Sequence, residues 1–201
     1  MSNMLIIGSG GRESAIITSL LKNKQAKIHC YAPYRQLKHN LVSYTLFTEF
    51  SVDECKHICQ ERFIDYVIIG SEQYLNTNVV DELELIGVKC ICPNKKMATI
   101  ETSKIFARNL IKYSSLKNFN PEFLAINKNT PYFSINTFLN KWNDKVVVKA
   151  DGLHGGKGVK VYGDHLFSRD DILNYIYETL TKKENVVLEQ KLEGKEFSFI
   201  G

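Results

Sequence analysis

Short apolar runs of the β type alternate with helical patterns through the first hundred residues of the chain. The apolar runs predict four strands, over residues 4–8, 27–31, 65–69 and 88–92. Apolar residues at helical spacing predict three helices between them, over residues 12–21, from Ser51 to about Arg62, and over 78–86. Such alternation is typical of a parallel sheet covered by helices, so we expect an α/β fold.

The pattern changes after Pro93. A helix is predicted over residues 102–113, and the polar segment that follows, 114–121, is interpreted as a linker or domain crossing. The remaining predictions are a strand at 122–126, a helix from Ser134, strands at 145–149 and 158–162, a helix from Ser168 to about Lys182, and strands at 185–190 and 196–200.

Composition narrows the class of protein. Hydrophobic residues make up 44% and charged residues 24% of the 201 residues, as in ordinary globular proteins. The net charge of +4 comes from scattered lysines, which favours a small anionic ligand over nucleic acid. The first apolar run, Met4 to Ile7, is too short for a signal peptide or a membrane span, and the five cysteines argue against a disulfide framework. We expect a soluble cytoplasmic protein with no nucleic-acid or membrane partner.

A glycine-rich loop follows the apolar run that ends at Lys149. Four glycines within residues 152–158 allow positive φ angles and close approach to a ligand, while Lys149 and Lys157 supply charge for phosphate oxygens. The loop therefore predicts a phosphate site, with a flexible hairpin as the alternative. Gly158 stands where a Walker A loop needs Ser or Thr, and the H-R-D and D-F-G motifs of protein kinases are absent.

A second glycine-rich loop, residues 8–13, joins the first strand to the first helix, where phosphates bind in such folds. Glu13 occupies the position of the third glycine in a dinucleotide fingerprint, so a smaller phosphorylated ligand is favoured, with Arg12 on its phosphate. Glu13 then either contacts hydroxyls or amines of the ligand or caps the helix. Glu72 follows another strand at the same predicted edge and either binds ribose hydroxyls or is a solvated turn residue.

Five motifs, in order and in register, resemble those of the phosphoribosylamine-glycine ligase family, which belongs to the ATP-grasp superfamily. They are Gly8-x-Gly10-Gly11-Arg12-Glu13, Gly70-x-Glu72, Glu101-x-Ser103-Lys104-x-Phe106, the stretch 149–159 and the stretch 187–199. His154, which stands where the family usually has a small residue, is expected to face solvent.

The resemblance implies a reaction in purine biosynthesis. ATP phosphorylates the carboxylate of glycine, and the amine of 5-phosphoribosylamine attacks the acyl phosphate to give glycinamide ribonucleotide. The resemblance also implies the sites, with Lys104 and Lys149 as the catalytic lysines. ATP would be held by Lys104, Lys149, Gly155, Gly156, Lys157, Gly158, Glu189, Leu192 and Glu196, and phosphoribosylamine by Gly10, Gly11, Arg12, Glu13 and Glu72.

The resemblance further implies a Rossmann-like substrate-binding domain over residues 1–100 and an incomplete ATP-grasp domain over 101–201, with its small lobe at about 121–190. The family's magnesium ligands are expected beyond residue 201, so we expect this chain alone to lack turnover. The alternative is a non-catalytic nucleotide-binding fragment or a decayed relative. The sequence does not predict an oligomeric state.

Overall fold

The computed structural model describes residues 2–23 and 25–197. The chain divides into two compact units, Met1–Thr99 and Ile100–Gly201.

The first unit is built on a five-stranded parallel sheet of order β3-β2-β1-β4-β5. Its elements are β1 (Ser2–Ile7), α1 (Gly11–Leu20), β2 (Ala26–Ala32), β3 (Val42–Leu46), α2 (Val52–Glu61), β4 (Tyr66–Ile69), α3 (Val79–Leu85) and β5 (Lys89–Ile91). Helix α4 (Lys95–Thr102) begins in this unit and ends in the next. A short 3-10 helix, Glu72–Tyr74, follows β4. The central strands β1 and β4 contain apolar runs, over residues 4–7 and 66–69, because helices cover both faces of the sheet there.

Both faces of this sheet pack against apolar helix stripes. On one face, Ile17 of α1 packs with Ile6 and Ile28. On the other face, Leu5 packs with residues of α2 and α3 that include Leu83. All of these side chains are buried, and each contributes roughly 1.5–3 kcal/mol of transfer free energy.

The chain order creates a switch point in the sheet. From β1 the chain proceeds outward to β2 and β3, then returns to the opposite side of β1 for β4 and β5. The loops after β1 and β4 therefore diverge to opposite faces and leave a crevice at the carboxyl ends of these two strands, where open α/β sheets bind ligands.

The second unit contains a four-stranded antiparallel sheet of order β6-β9-β7-β8. Its elements are α5 (Lys104–Lys112), β6 (Phe123–Ile126), α6 (Tyr132–Lys141), β7 (Val146–Ala150), β8 (Val159–Val161), α7 (Arg169–Thr181) and β9 (Val186–Gln190), with a 3-10 turn at Lys117–Phe119.

The two faces of the second sheet differ in chemistry. Val146, Val148 and Leu188 belong to a buried cluster with residues of α6 and α7. Because side chains alternate along a strand, Lys149 and Glu189 lie on the opposite face. Helix α5 contacts β9, so the charged residues of this face meet α5.

The predicted α/β class is confirmed, with a parallel sheet followed by an antiparallel one. Ser168 caps α7 through a capping box with Asp171, and Ser51 caps α2 by accepting the N–H of Glu54. Strand β3 and helix α4 were not predicted, and α6 begins two residues before the predicted start at Ser134. Of the strand predicted at 196–200, residues 196 and 197 are irregular and residues 198–200 lie outside the described residues.

Candidate functional site

The crevice of the first unit is an open cavity of about 280 Å³. It is lined by residues from the two predicted loops and one tyrosine: Ser9, Gly10, Gly11, Arg12, Glu13, Tyr34, Gly70, Ser71, Glu72 and Gln73. The structure thus brings together all five residues that the sequence predicted to bind phosphoribosylamine. The lining at Gly11 is open, because a Cβ added there would meet no described atom within 4 Å.

Arg12 and Glu72 form an ion pair on the rim of this cavity. The guanidinium of Arg12 donates one bond to the carbonyl of Gly70 and one to Glu72 Oε2, each 2.7 Å long. Hydrogen bonding from the Glu72 backbone and from Arg12 lowers the pKa of the Glu72 carboxyl. The two side chains are 67% and 40% exposed, so an entering anion reaches Arg12 without displacing a buried group.

Glu13 caps helix α1 from a buried position. Its Oε2 accepts the N–H of Gly10 at 2.6 Å, and the residue is only 2% exposed. Its Oε1 is buried without a hydrogen-bond partner among the residues that the structure describes. A Cβ added at Gly8 or Gly70 would press against this carboxylate, so the two glycines make the space in which Glu13 lies. Capping of α1 is one of the two roles that the sequence suggested for Glu13, and the hollow that accommodates its side chain was not predicted.

The glycine loop of the second unit adopts the predicted backbone conformation. Gly152, Gly155 and Gly156 have φ angles of +108°, +54° and +79°, which side chains other than glycine rarely tolerate. Gly155, Gly156 and Lys157 are exposed, whereas Gly158 is buried.

His154 was predicted to face solvent, but its side chain is only 24% exposed. It folds under the loop, with Nε2 3.1 Å from the carbonyl of Asp151, and its ring leaves no room for a Cβ at Gly158. The missing side chain of Gly158 provides the space that the ring occupies.

Asp151 joins the loop to the N-terminus of α5. Its Oδ1 accepts the backbone N–H groups of Lys104 and Ile105 at 2.6 and 3.2 Å, and Oδ2 accepts the hydroxyl of Ser103 at 3.1 Å. Lys104 Nζ in turn donates to the carbonyl of Gly152 at 2.6 Å. The lysine is therefore fixed against the loop at both its backbone and its ammonium group.

Glu189 pairs with two cationic side chains on the sheet face that contacts α5. Lys149 Nζ lies 2.7 Å from Glu189 Oε2. Arg108 of α5 grips the same carboxylate through both oxygens, with Nε 2.6 Å from Oε1 and Nη2 3.0 Å from Oε2. The Glu189 side chain is 4% exposed, so it carries its charge in the interior only because it is paired.

The pKa shifts follow this arrangement. Burial alone would raise the pKa of Glu189, but hydrogen bonds from Arg108 and Lys149 outweigh it and the pKa lies below its usual value. Burial lowers the pKa of Lys104, and the charge of Lys149 adds to that effect while Asp151 opposes it. Because the charge of Lys149 disfavours the charged form of Lys104, an anion beside these two lysines would be stabilised.

Only some of the residues predicted to bind ATP lie close together. Lys104, Lys149 and Glu189 surround one region next to the loop, whereas Leu192 is 64% exposed and Glu196 lies exposed in an irregular segment. Sequence reasoning missed Arg108, although its position one helical turn after Lys104 was a usable signal. It also did not assign Asp151 its role as a cap.

Within residues 2–23 and 25–197, no group of three or more His, Cys, Asp or Glu residues comes together as a metal site. No helix in this same part of the chain has the length and apolar character needed to cross a membrane.

Two family models match the chain. The model described as phosphoribosylglycinamide synthetase, N domain, matches residues 2–101, and the one described as phosphoribosylglycinamide synthetase, ATP-grasp (A) domain, matches residues 102–201. The chain belongs to this family. The resemblance stated from the five motifs is thereby confirmed.

Curated relatives carry the name of this family's ligase. The phosphoribosylamine-glycine ligase of Methanosphaera stadtmanae is 33% identical over 97% of this chain, and that of Methanocaldococcus jannaschii is 35% identical over 98%. The chain spans 44% and 46% of those relatives, less than half of their length.

Among solved structures, phosphoribosylamine-glycine ligase from Thermotoga maritima has a TM-score of 0.63 and 21% identity, and the match covers 96% of this chain and 44% of that chain. The N5-carboxyaminoimidazole synthetase of Staphylococcus aureus complexed with ADP has a TM-score of 0.67 and 15% identity, covering 96% and 48%. At these identities the likeness shows the fold.

Proposed function

We propose that this chain forms the N-terminal part of an ADP-forming phosphoribosylamine-glycine ligase, which joins glycine to 5-phosphoribosylamine at the expense of ATP. The observation that carries the proposal is the convergence of Lys104 and Lys149 beside a glycine loop with positive φ angles, in a chain that the family's two models match from residue 2 to 201. Cytoplasmic location remains a prediction, because it follows from the sequence alone.

The second unit would bind the ATP phosphates. Lys104 and Lys149 place two ammonium groups near one region, and the exposed Gly155, Gly156 and Lys157 offer backbone N–H groups and a third charge. Gly158 contributes by leaving room for the ring of His154 beneath the loop. Contacts of Glu189 and Leu192 with adenine, and of Glu196 with ribose, remain predictions from the family resemblance.

The first unit would bind phosphoribosylamine. The N–H groups at the start of α1, with Gly10 and Gly11 exposing the backbone, suit a phosphate that Arg12 also reaches. Glu72 would accept bonds from ribose hydroxyls. Glu13 lines the same cavity, but its unpartnered Oε1 is buried, so a bond from that oxygen to a ligand amine or hydroxyl would require the carboxylate to turn toward the cavity.

The chemistry would need no side-chain nucleophile. Phosphorylation of a carboxylate and attack by an amine require positioned reactants and stabilised phosphate charge, which lysines and backbone N–H groups supply. The described residues do not form a magnesium site, and the use of magnesium remains an expectation from the family resemblance.

The test is a coupled assay of ADP release by the full-length protein that carries these residues. We expect release that depends on both glycine and phosphoribosylamine and that is lost in Lys104→Ala. ATP binding without turnover on these substrates would instead support the alternative, a non-catalytic nucleotide-binding protein. Absence of ATP binding would exclude both.

A further inference from the structure

Glu189, Arg108 and Lys149 form a cluster in which one buried carboxylate is shared by two partly exposed cations of different kinds. The three side chains are 4%, 24% and 22% exposed. Arg108 makes a two-pronged contact from helix α5, whereas Lys149 makes a single contact to Oε2 from strand β7. Arginine is planar and matches a carboxylate with two bonds, while lysine is a point charge on a flexible stem.

Loss of the Lys149 contact and loss of the Arg108 contact therefore have different effects on the pairing of Glu189. If Lys149 turns away, Glu189 keeps both bonds to Arg108 and stays paired. If Arg108 were absent, the departure of Lys149 would leave a buried carboxylate without a counter-charge, which is strongly unfavourable. Lys149 can therefore leave Glu189 and pair with another anion only while Arg108 remains bound to that carboxylate.

We propose that Arg108 is a positioning residue for nucleotide binding, because it holds Glu189 so that Lys149 can exchange that carboxylate for a phosphate oxygen of the nucleotide. This rests on the proposed function, since it assumes that Lys149 contacts the phosphates of ATP. In this arrangement Arg108 itself stays on Glu189 in both the free and the bound state. Lys104 needs no such exchange, because its ammonium group is held by the neutral carbonyl of Gly152.

The test compares the dissociation constants of ATP and of adenosine, measured by calorimetry in the full-length protein. Adenosine lacks the phosphates, so the ratio of the two constants isolates the phosphate contribution. Arg108→Gln is expected to reduce the preference for ATP over adenosine at least tenfold. The double variant Arg108→Gln/Glu189→Gln is expected to recover that preference to within about threefold of wild type, because no carboxylate then retains Lys149.

The ratio distinguishes this role from a merely structural one, because a damaged fold would weaken the binding of ATP and of adenosine alike and would leave their ratio as in wild type. In a Lys149→Ala background, Arg108→Gln is expected to leave the ratio unchanged. Arg169, which pairs with Asp144 within the second unit, gives the matched control: Arg169→Gln removes an ion-paired arginine and is expected to leave the ratio as in wild type.

An unchanged ratio in Arg108→Gln, or a double variant no better than the single one, would overturn the proposal. If wild type does not bind ATP at all, the proposed function fails first. Should Arg108→Gln not fold, nuclear magnetic resonance of the wild-type protein decides: ADP is expected to shift the Lys149 Nζ signal and to leave the Arg108 Nε–H signal protected from exchange. Loss of protection at Arg108 Nε–H together with an unchanged Lys149 Nζ signal would contradict the proposal.

Discussion

At the scale of single residues, His29 is a buried histidine that the candidate sites do not use. It lies on β2 and is 3% exposed. Its two ring nitrogens bond the hydroxyls of Ser43 and Thr45 on β3, at 2.7 and 2.9 Å. Burial and, secondarily, the charge of Arg62 lower its pKa from 6.5 to about 4. The folded protein therefore keeps a neutral imidazole between β2 and the edge strand.

This histidine makes stability depend on pH. Between about pH 6.5 and 4 the unfolded chain binds a proton at His29 that the folded chain does not, so stability falls as the pH is lowered through this range and the loss levels off below it. A shift of this size corresponds to a loss on the order of 3 kcal/mol. We expect His29→Gln, whose amide also bonds hydroxyls, to flatten the dependence in urea unfolding at pH 4.5 and 7.

Exposed His57, on α2 of the same unit, provides the control. His57→Gln is expected to keep the wild-type difference between the two pH values, since carboxylates titrate equally in both proteins. A His29→Gln protein with the full wild-type pH dependence would show that other groups cause it.

The residues that sequence reasoning missed depend on distant parts of the chain. The hollow around Glu13 is made by glycines from two loops, and Gly70 lies 57 positions away in the sequence. The bonds between Arg108 and Glu189 span 81 positions. No local pattern reports such contacts, whereas the glycine loops themselves could be predicted because φ preferences are local.

At the scale of elements, the predictions held wherever an apolar stripe marks a core-facing side. Strand β3 was not predicted because it follows β2 without an intervening helix, whereas the prediction relied on strands alternating with helices. Among the described residues it pairs only with β2, at the edge of the sheet. Helix α4 was not predicted because Ala98 is its only buried residue, so its sequence shows no apolar stripe at helical spacing.

Helix α5 depends on its caps more than on burial, since none of its residues is buried. Ser103 accepts the N–H of Phe106, and Asp151 accepts those of Lys104 and Ile105. Loss of a capping side chain costs about 0.5–2 kcal/mol. We expect Asp151→Ala to lose stability in this range in thermal or urea unfolding, with Asp151→Asn losing less because its amide oxygen still accepts a bond.

Asp170, exposed in the first turn of α7, is the matched control for this cap. Asp170→Ala removes a carboxylate near a helix N-terminus, and its expected cost is about 0.5 kcal/mol from the helix dipole. Equal losses in the two alanine variants would mean that Asp151 contributes only charge and not the bonds seen at α5.

At the scale of the whole molecule, each compact unit carries its own candidate phosphate site: the crevice between β1 and β4 in the first, and the glycine loop after β7 in the second. Under the proposed function, each of the two phosphorylated substrates would bind in one of these units. The arrangement therefore predicts that the two substrates respond to different substitutions.

Arg12→Ala and Lys149→Ala should separate the two sites in the full-length protein. A charge-assisted contact is worth about 1.5–3 kcal/mol, which corresponds to roughly 10- to 150-fold in kcat/KM. We expect Arg12→Ala to lower kcat/KM for phosphoribosylamine by this order and to leave that for ATP nearly unchanged, with the reverse for Lys149→Ala. The Arg12 pair with Glu72 is exposed, so its loss costs little stability.

Gly11→Val extends this comparison, because the open space at Gly11 admits a side chain without a clash in the fold. The valine would instead fill the cavity through which a phosphate reaches the backbone, so we expect a loss for phosphoribosylamine at least as large as that of Arg12→Ala. Steady-state kinetics with each substrate varied in turn checks both variants. Equal losses for the two substrates would indicate a defect in folding of the first β-α turn, and an unchanged constant for phosphoribosylamine would show that this loop is a tight turn without a ligand.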